Sequence, residues 1–322
     1  MTGGRRAMTK VLILTDGKAG HENQSRAFAG ALGRGCEIAA VRFKSKFHKA
    51  LSYCFDRLGV RSEALWEFAP GTFSGAGRPP AGFKPAAVLG TGSGTFYAAK
   101  TLAKRLGVKC GVVLHPRGYD LASFDCILAP SFDNPPRRGN IVETPANLVA
   151  VDPAFYEAGA AAFTARHAPS ARPAVAVVVG GPNKCAALEP GWLKAELARV
   201  FAETTDCEHW VTTSRRTPPA AERVVEDFSW DYSLIYSRDR FNPVPAFVKL
   251  AKRLYVTADS TGMLSEACTC GAAEVVALDN LKPGPSKYRR FLVNLRRGGY
   301  VDGSRKIDIS GEIERAKELL GL

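Results

Sequence analysis

The feature that most constrains this chain is a rhythm repeated along it: a short β-branched and aliphatic run, a polar or glycine-rich loop, then a stretch with helical spacing. Residues 11–14 lead into TDGKAGHENQ at 15–24 and a helical pattern through Leu32. Residues 86–89 lead into GTGSGT at 90–95 and a helical stretch over 96–106. Residues 110–114 end at His115-Pro116-Arg117-Gly118, and 126–129 at Pro130-Ser131-Phe132-Asp133. Successive strands that each end in such a loop predict a doubly wound α/β sheet with one functional edge.

The second half repeats the architecture without repeating the residues. Residues 174–179 run into Gly180-Gly181-Pro182-Asn183-Lys184 and a helix over 192–202; 209–213 lead to Ser214, and 233–236 to Ser237. The loop at 239–243, carrying Phe241 and Asn242, opens another helix. Residues 254–278 form a complete β-turn-α-β unit, with Ala258-Asp259-Ser260-Thr261-Gly262 breaking the first strand and Met263-Leu264-Ser265-Glu266-Ala267 starting the helix. Between the halves, the alanine-rich stretch 158–168 with Pro169 and Pro173 reads as a crossover, dividing the chain into 1–150 and 151–322. The fold class expected is α/β, two Rossmann-like domains facing a cleft.

The loops carry the candidate chemistry. At the first, Gly17 and Gly20 let the backbone approach a ligand, but the spacing is neither G-x-G-x-x-G nor a P-loop. Asp16 and His21 are placed for acid/base work, since imidazole titrates near neutrality; the plainer alternative makes His21 a cap or surface residue. In the second half, Gly181, Asn183 and Lys184 suit a diphosphate, although a tight turn with an exposed lysine has the same composition. Ser260, Thr261, Gly262 and Met263 stand at a helix N-terminus, where free N–H groups attract anions; Glu266 follows about one turn on, suited to sugar hydroxyls or else a solvated helix residue with Ser260 or Thr261 as cap.

The chain of 322 residues is 46% hydrophobic and 23% charged, an ordinary globular composition. No apolar run approaches the roughly 20 residues that span a bilayer, and the stretch behind the basic MTGGRRAMTK is too short for a signal peptide, so a cytoplasmic protein is expected. A net charge of +13 points to an anionic partner. Residues 43–66 mix aromatic and basic side chains, which suits either a helix lying on an anionic membrane face or one packed on its own domain with snorkelling lysines. The eight cysteines include no C-x-x-C pair and read as reduced core thiols; no metal site is expected. Nucleic-acid binding would rest on charge alone.

Ser260-Thr261-Gly262-Met263-Leu264-Ser265-Glu266 resembles the donor-binding segment of the fold B (GT-B) enzyme that adds N-acetylglucosamine to lipid I, whose glutamate holds the donor ribose. The loops around Gly20-His21 and at 90–94 are similar to that enzyme's two glycine-rich loops. Across nearly the whole chain, TDGKAGHENQ, Thr144-Pro145-Ala146-Asn147-Leu148, GGPNK and TADSTGM resemble the bacterial relatives of the plant mitochondrial-fission protein "elongated mitochondria", regarded as GT-B glycosyltransferases. The resemblance implies transfer from a nucleotide-sugar, with no other cofactor, to a lipid-linked or polysaccharide acceptor, with peripheral contact to the inner face of a membrane. Because no acidic D-x-D motif is present to hold a metal-bound diphosphate, helix N-termini and cationic side chains are expected to neutralise the leaving group without a metal. Donor contacts would be Gly181, Asn183, Lys184, Ser214, Phe241, Asn242, Ser260, Thr261, Gly262, Met263 and Glu266; acceptor contacts Gly17, Lys18, Gly20, Gly92, Ser93 and His115; catalysis Asp16 and His21. The plant member implies a competing role as a non-catalytic adaptor at a membrane surface, and two such sheets also describe a GT-B epimerase acting on a UDP-sugar.

Overall fold

The computed structural model describes residues 10–70, 72, 73, 79, 82–271 and 273–322. It divides into two compact units, the first running to Ala150 and including Ile309–Leu322, the second spanning Val151–Asp308.

The first unit begins β1 (Val11–Thr15), α1 (Ala19–Ala31), β2 (Cys36–Phe43), α2 (Lys46–Arg57) and β3 (Trp66–Phe68). It continues β4 (Ala87–Thr91), α3 (Phe96–Leu106), β5 (Lys109–Val113), β6 (Cys126–Pro130) and β7 (Ile141–Thr144). These strands make one sheet in the order β3-β2-β1-β4-β5-β6-β7, parallel except for β3. Helices cover both faces of the sheet. That is why β1, β4 and β6 are buried along their whole length and read as unbroken apolar runs.

The second unit contains α4 (Pro153–Thr164), β8 (Ala174–Val179), α5 (Pro190–Glu203), β9 (Glu208–Thr213), α6 (Pro219–Glu226) and β10 (Tyr232–Leu234). Then come α7 (Val244–Leu250), β11 (Arg253–Thr257), α8 (Thr261–Cys270), β12 (Glu274–Leu278) and α9 (Lys287–Arg297). Its wholly parallel sheet runs β10-β9-β8-β11-β12, with β8 and β9 buried throughout.

The last helix, α10 (Ser310–Leu320), was expected within the second domain but packs on the first unit. Ile313, Ala316 and Leu320 recur on one helical face and join the core under β1, β4, β5 and β6. The second correction concerns the thiols. Cys110, Cys126 and Cys268 are buried, but Cys54 is exposed and the other four are half-buried, because they sit in loops, at element ends or on an outer helix face. All eight are unbridged.

Helix α2, from the mixed basic and aromatic segment, packs Leu51, Tyr53 and Phe55 against the core of the first unit. Asp56 pins its C-terminal end. The carboxylate is fully buried, 2.5 Å from Lys100 Nζ of α3, and accepts the Asp120 N–H at 2.6 Å. Phe47 and Leu58 remain exposed on its outer side. Among the described residues, no helix is long and apolar enough to cross a membrane.

Candidate functional site

In each sheet the chain winds outward in one direction, then returns to the far side of its first strand. The carboxyl ends on either side of that switch, β1/β4 and β8/β11, diverge into a crevice where doubly wound folds bind ligands. The expected loops sit at these two places.

In the first unit, Asp16 follows the last residue of β1 and His21 lies in the first turn of α1. Their side chains meet: His21 Nδ1 is 3.0 and 3.2 Å from the two Asp16 carboxylate oxygens. An ionised carboxylate only accepts, so Nδ1 carries the proton and Nε2 is left as the basic nitrogen. Burial pushes the Asp16 carboxyl up, but the Lys18 hydrogen bond at 3.0 Å and the neighbouring His21 outweigh it and hold the group below its ordinary value. Gly17, Lys18 and Gly20 are exposed around the pair.

The second glycine-rich loop closes on this dyad. A Cβ on Gly92, whose φ is +83°, would lie 2.3 Å from His21 Cε1, and one on Gly94 would lie 2.7 Å from Asp16. Only glycine lets the two loops approach this far. Between them, Ser93 accepts a hydrogen bond from Lys49 Nζ of α2 at 2.9 Å. His115 follows β5, the strand beside β4; burial and then Arg117 hold its imidazole below the ordinary range, and its buried Nδ1 has no partner among the described residues.

In the second unit the strand ends are knitted around a residue that sequence reasoning passed over, Asp259. Its side chain is fully buried, 2.5 Å from Arg216 Nη2, and accepts the Gly181 N–H at 3.1 Å and Asn280 Nδ2 at 3.4 Å. Asn183 donates to the Asp259 carbonyl at 3.0 Å, and Gly180 donates its N–H to Thr257 at 2.8 Å. The Gly-Gly pair is therefore explained internally: a Cβ on Gly180 would fall 2.3 Å from Asp259 Oδ1, and one on Gly181 2.1 Å from the Arg216 carbonyl. The Gly181 N–H expected to face a phosphate is already taken by Asp259. Lys184 is exposed beside this knot, while Ser214 closes the turn after β9 by accepting the Arg216 N–H.

Ser260 caps α8, its hydroxyl accepting the Met263 N–H at 3.3 Å. Gly262 is exposed with open space around it, so the first turn of α8, which includes Thr261, is accessible at the edge. Glu266 is not a solvated helix residue. Its Oε1 accepts the Tyr156 hydroxyl of α4 at 3.0 Å, and burial raises the carboxyl above its ordinary value, the tyrosine drawing it partly back. Phe241 stacks under Arg166 at 4.2 Å, and Asn242 caps the start of α7. Both are thus occupied locally. Tyr156, Asp259 and Arg216 carried no motif in the sequence; the signal for Asp259 was its place two residues past the end of β11. Among the described residues, no three His, Cys, Asp or Glu side chains are grouped to hold a metal ion.

Over residues 19–317 the sequence matches the family profile described as Mitochondrial fission ELM1. The chain belongs to that family. The Mitochondrial fission protein ELM1 of Arabidopsis thaliana is 27% identical over 247 residues, 67% of this chain and 56% of the plant protein, so the chain spans about half of that relative's length. Among solved structures, a Listeria monocytogenes protein assigned by name to the UDP-N-acetylglucosamine 2-epimerases superposes with a TM-score of 0.50 at 13% identity, covering 98% of this chain and 89% of that one. MurG of Acinetobacter baumannii gives 0.46 at 12% identity, over 97% and 90% of the two chains. The ELM1-family chain thus has an α/β fold of two parallel-sheet units, the GT-B type.

Proposed function

We propose that this ELM1-family chain transfers a sugar from a nucleotide-activated donor to a hydroxyl acceptor, with His21 as the base and no catalytic metal. The observation that carries the reading is the Asp16–His21 dyad, held at the β1/β4 switch by glycines that admit no side chain. Asp16 orients the ring and stabilises the imidazolium that forms when Nε2 takes the acceptor proton. Donor phosphates would lie against the first turn of α8, with Lys184 offsetting the charge that develops on the leaving group. Glu266, steadied by Tyr156, would accept from the donor's hydroxyls.

The test is turnover of a panel of UDP-, GDP- and CMP-linked sugars, with and without EDTA. Activity should survive EDTA, and His21→Ala should lower kcat about a hundredfold or more while thermal stability is kept. Nucleotide release unaffected by His21→Ala would refute the assignment. The panel also tests the epimerase alternative, since a UDP-sugar epimerised without an acceptor would replace transfer.

A second reading is a non-catalytic adaptor on an anionic membrane surface. It is favoured by the plant relative's name and by the exposed Phe47 and Leu58, at 71% and 76%, flanked by Lys44, Lys46 and Arg57. Vesicle binding without any saturable nucleotide binding would select it.

A further inference from the structure

Several basic side chains around the strand ends of the first unit are held by carboxylates. Lys18 pairs with Asp16, Lys100 and Arg61 with Asp56, and Arg117 with Asp133. Lys44 and Lys46 also form no ion pair among the described residues but are exposed, whereas Lys49 is half-buried. Its half-buried ammonium donates to the neutral Ser93 hydroxyl, and among the described residues it forms no ion pair. The side chain is also no accident of a loose surface helix, because α2 is fastened across the β4 and β5 loops at several points. Asp56 binds Lys100 and the Asp120 N–H, Ser52 hydrogen-bonds Tyr119 at 3.1 Å, and Tyr53 packs on the Tyr119 ring at 4.4 Å. Tyr53 fits there because Gly118, φ +87°, has no side chain to meet it.

Lys49 is therefore a positioned charge without a counter-charge. It is bonded to the one residue that separates Gly92, against His21, from Gly94, against Asp16. A partly desolvated cation is costly to leave alone and favourable once an anion completes it. Ser93, while accepting from Lys49, keeps its own proton to donate to a further oxygen. At the next strand end, burial and then Arg117 hold the His115 imidazole below its ordinary value, which disfavours a competing cation there.

We propose that Lys49 and Ser93 form an anion subsite for a phosphate or pyrophosphate group carried by the acceptor, holding it next to the Asp16–His21 dyad. The site is defined by binding alone; calling its occupant the acceptor rests on the transferase reading. The phosphate could belong to a soluble metabolite or to an isoprenoid-linked one, so the experiment uses inorganic pyrophosphate and geranyl pyrophosphate as probes. Each is titrated into the full chain by calorimetry, and the contact is located by backbone amide NMR shifts.

Saturable binding with shifts centred on Gly92, Ser93 and Gly94 is expected, about tenfold or more weaker in Lys49→Met and largely restored in Lys49→Arg. An unchanged melting temperature in Lys49→Met shows that the loss is not misfolding. Tighter binding of geranyl pyrophosphate assigns an isoprenoid-linked acceptor, and equal binding a soluble one. Shifts confined to Thr261 and Gly262, or binding in Lys49→Met equal to wild type, overturn the proposal. Absence of sugar turnover alongside Lys49-dependent binding would instead fail the transferase reading and leave the subsite standing.

Discussion

Asp56→Asn is the sharpest probe of what holds α2 in place. The Asp56 and Lys100 side chains are 0% and 1% exposed and 2.5 Å apart, so neither can fall back on water. Asparagine keeps the shape and an acceptor for the Asp120 N–H but leaves the Lys100 ammonium, and the Arg61 guanidinium 3.2 Å from the same carboxylate, without a counter-charge. Removing one partner of a buried pair costs about 3–5 kcal/mol. Lys100 keeps the Ser123 hydroxyl at 2.6 Å, the Asp120 carbonyl at 3.1 Å and the Phe124 ring at 4.1 Å, which places the cost at the lower end, about 3 kcal/mol. In a unit of this size that is a melting temperature lower by about 6–12 °C, read by circular dichroism at pH 7.

Burial already depresses the Lys100 pKa, and in the variant the Asp56 carboxylate, its main opponent, is gone. The unfolded lysine then binds more protons than the folded one between the two pKa values. Stability of the variant therefore recovers as pH rises toward 10.5, the ordinary lysine value. The triple substitution Asp56→Asn with Lys100→Met and Arg61→Met should regain most of the loss, since no lone charge stays buried. A shift under about 2 °C in the single variant, or a triple variant no better than the single, would refute the reasoning.

Two further outcomes follow from the site geometry. Gly92→Ala puts a methyl 2.3 Å from the His21 ring and strains a φ of +83°, so the imidazole should leave Asp16; a nitrogen-15 shift of His21 identical to wild type would contradict this. Tyr156→Phe removes the hydroxyl that stabilises ionised Glu266, so the carboxyl midpoint, already raised by burial, should move further up in a carbon-13 titration. Because a raised carboxyl pKa costs stability as pH climbs from 4.5 through the folded value, the variant should lose more on going from pH 4 to 7 than wild type; a midpoint that falls would be the wrong sign.

Strands buried on both faces were legible, because β1, β4, β6, β8 and β11 have little choice but continuous apolar composition. The strands that escaped were β2, β3 and β7. Most of their residues are only half-buried, and β3 and β7 are sheet edges, so polar residues such as Glu37, Arg42 and Glu143 interrupt them. The same physics applies to the site. Asp16, His21 and the 90–94 loop were readable because strand ends and glycines mark where backbones converge. Asp259 was not, since a lone carboxylate in a turn gives no hint that the loops after three other strands are tied to it. Nor does composition disclose that Tyr156 on a remote helix caps Glu266.

The return of α10 to the first sheet imposes an order on biosynthesis. A ribosome emits all of the first seven strands and then the whole second unit before the residues Ile313, Ala316 and Leu320 emerge to cover the apolar face they complete. At roughly 5–20 residues per second, that face waits on the order of ten seconds or more for its cover. The second unit is contiguous and can finish first. Nascent chains halted before α10 should therefore be the ones that chaperones hold.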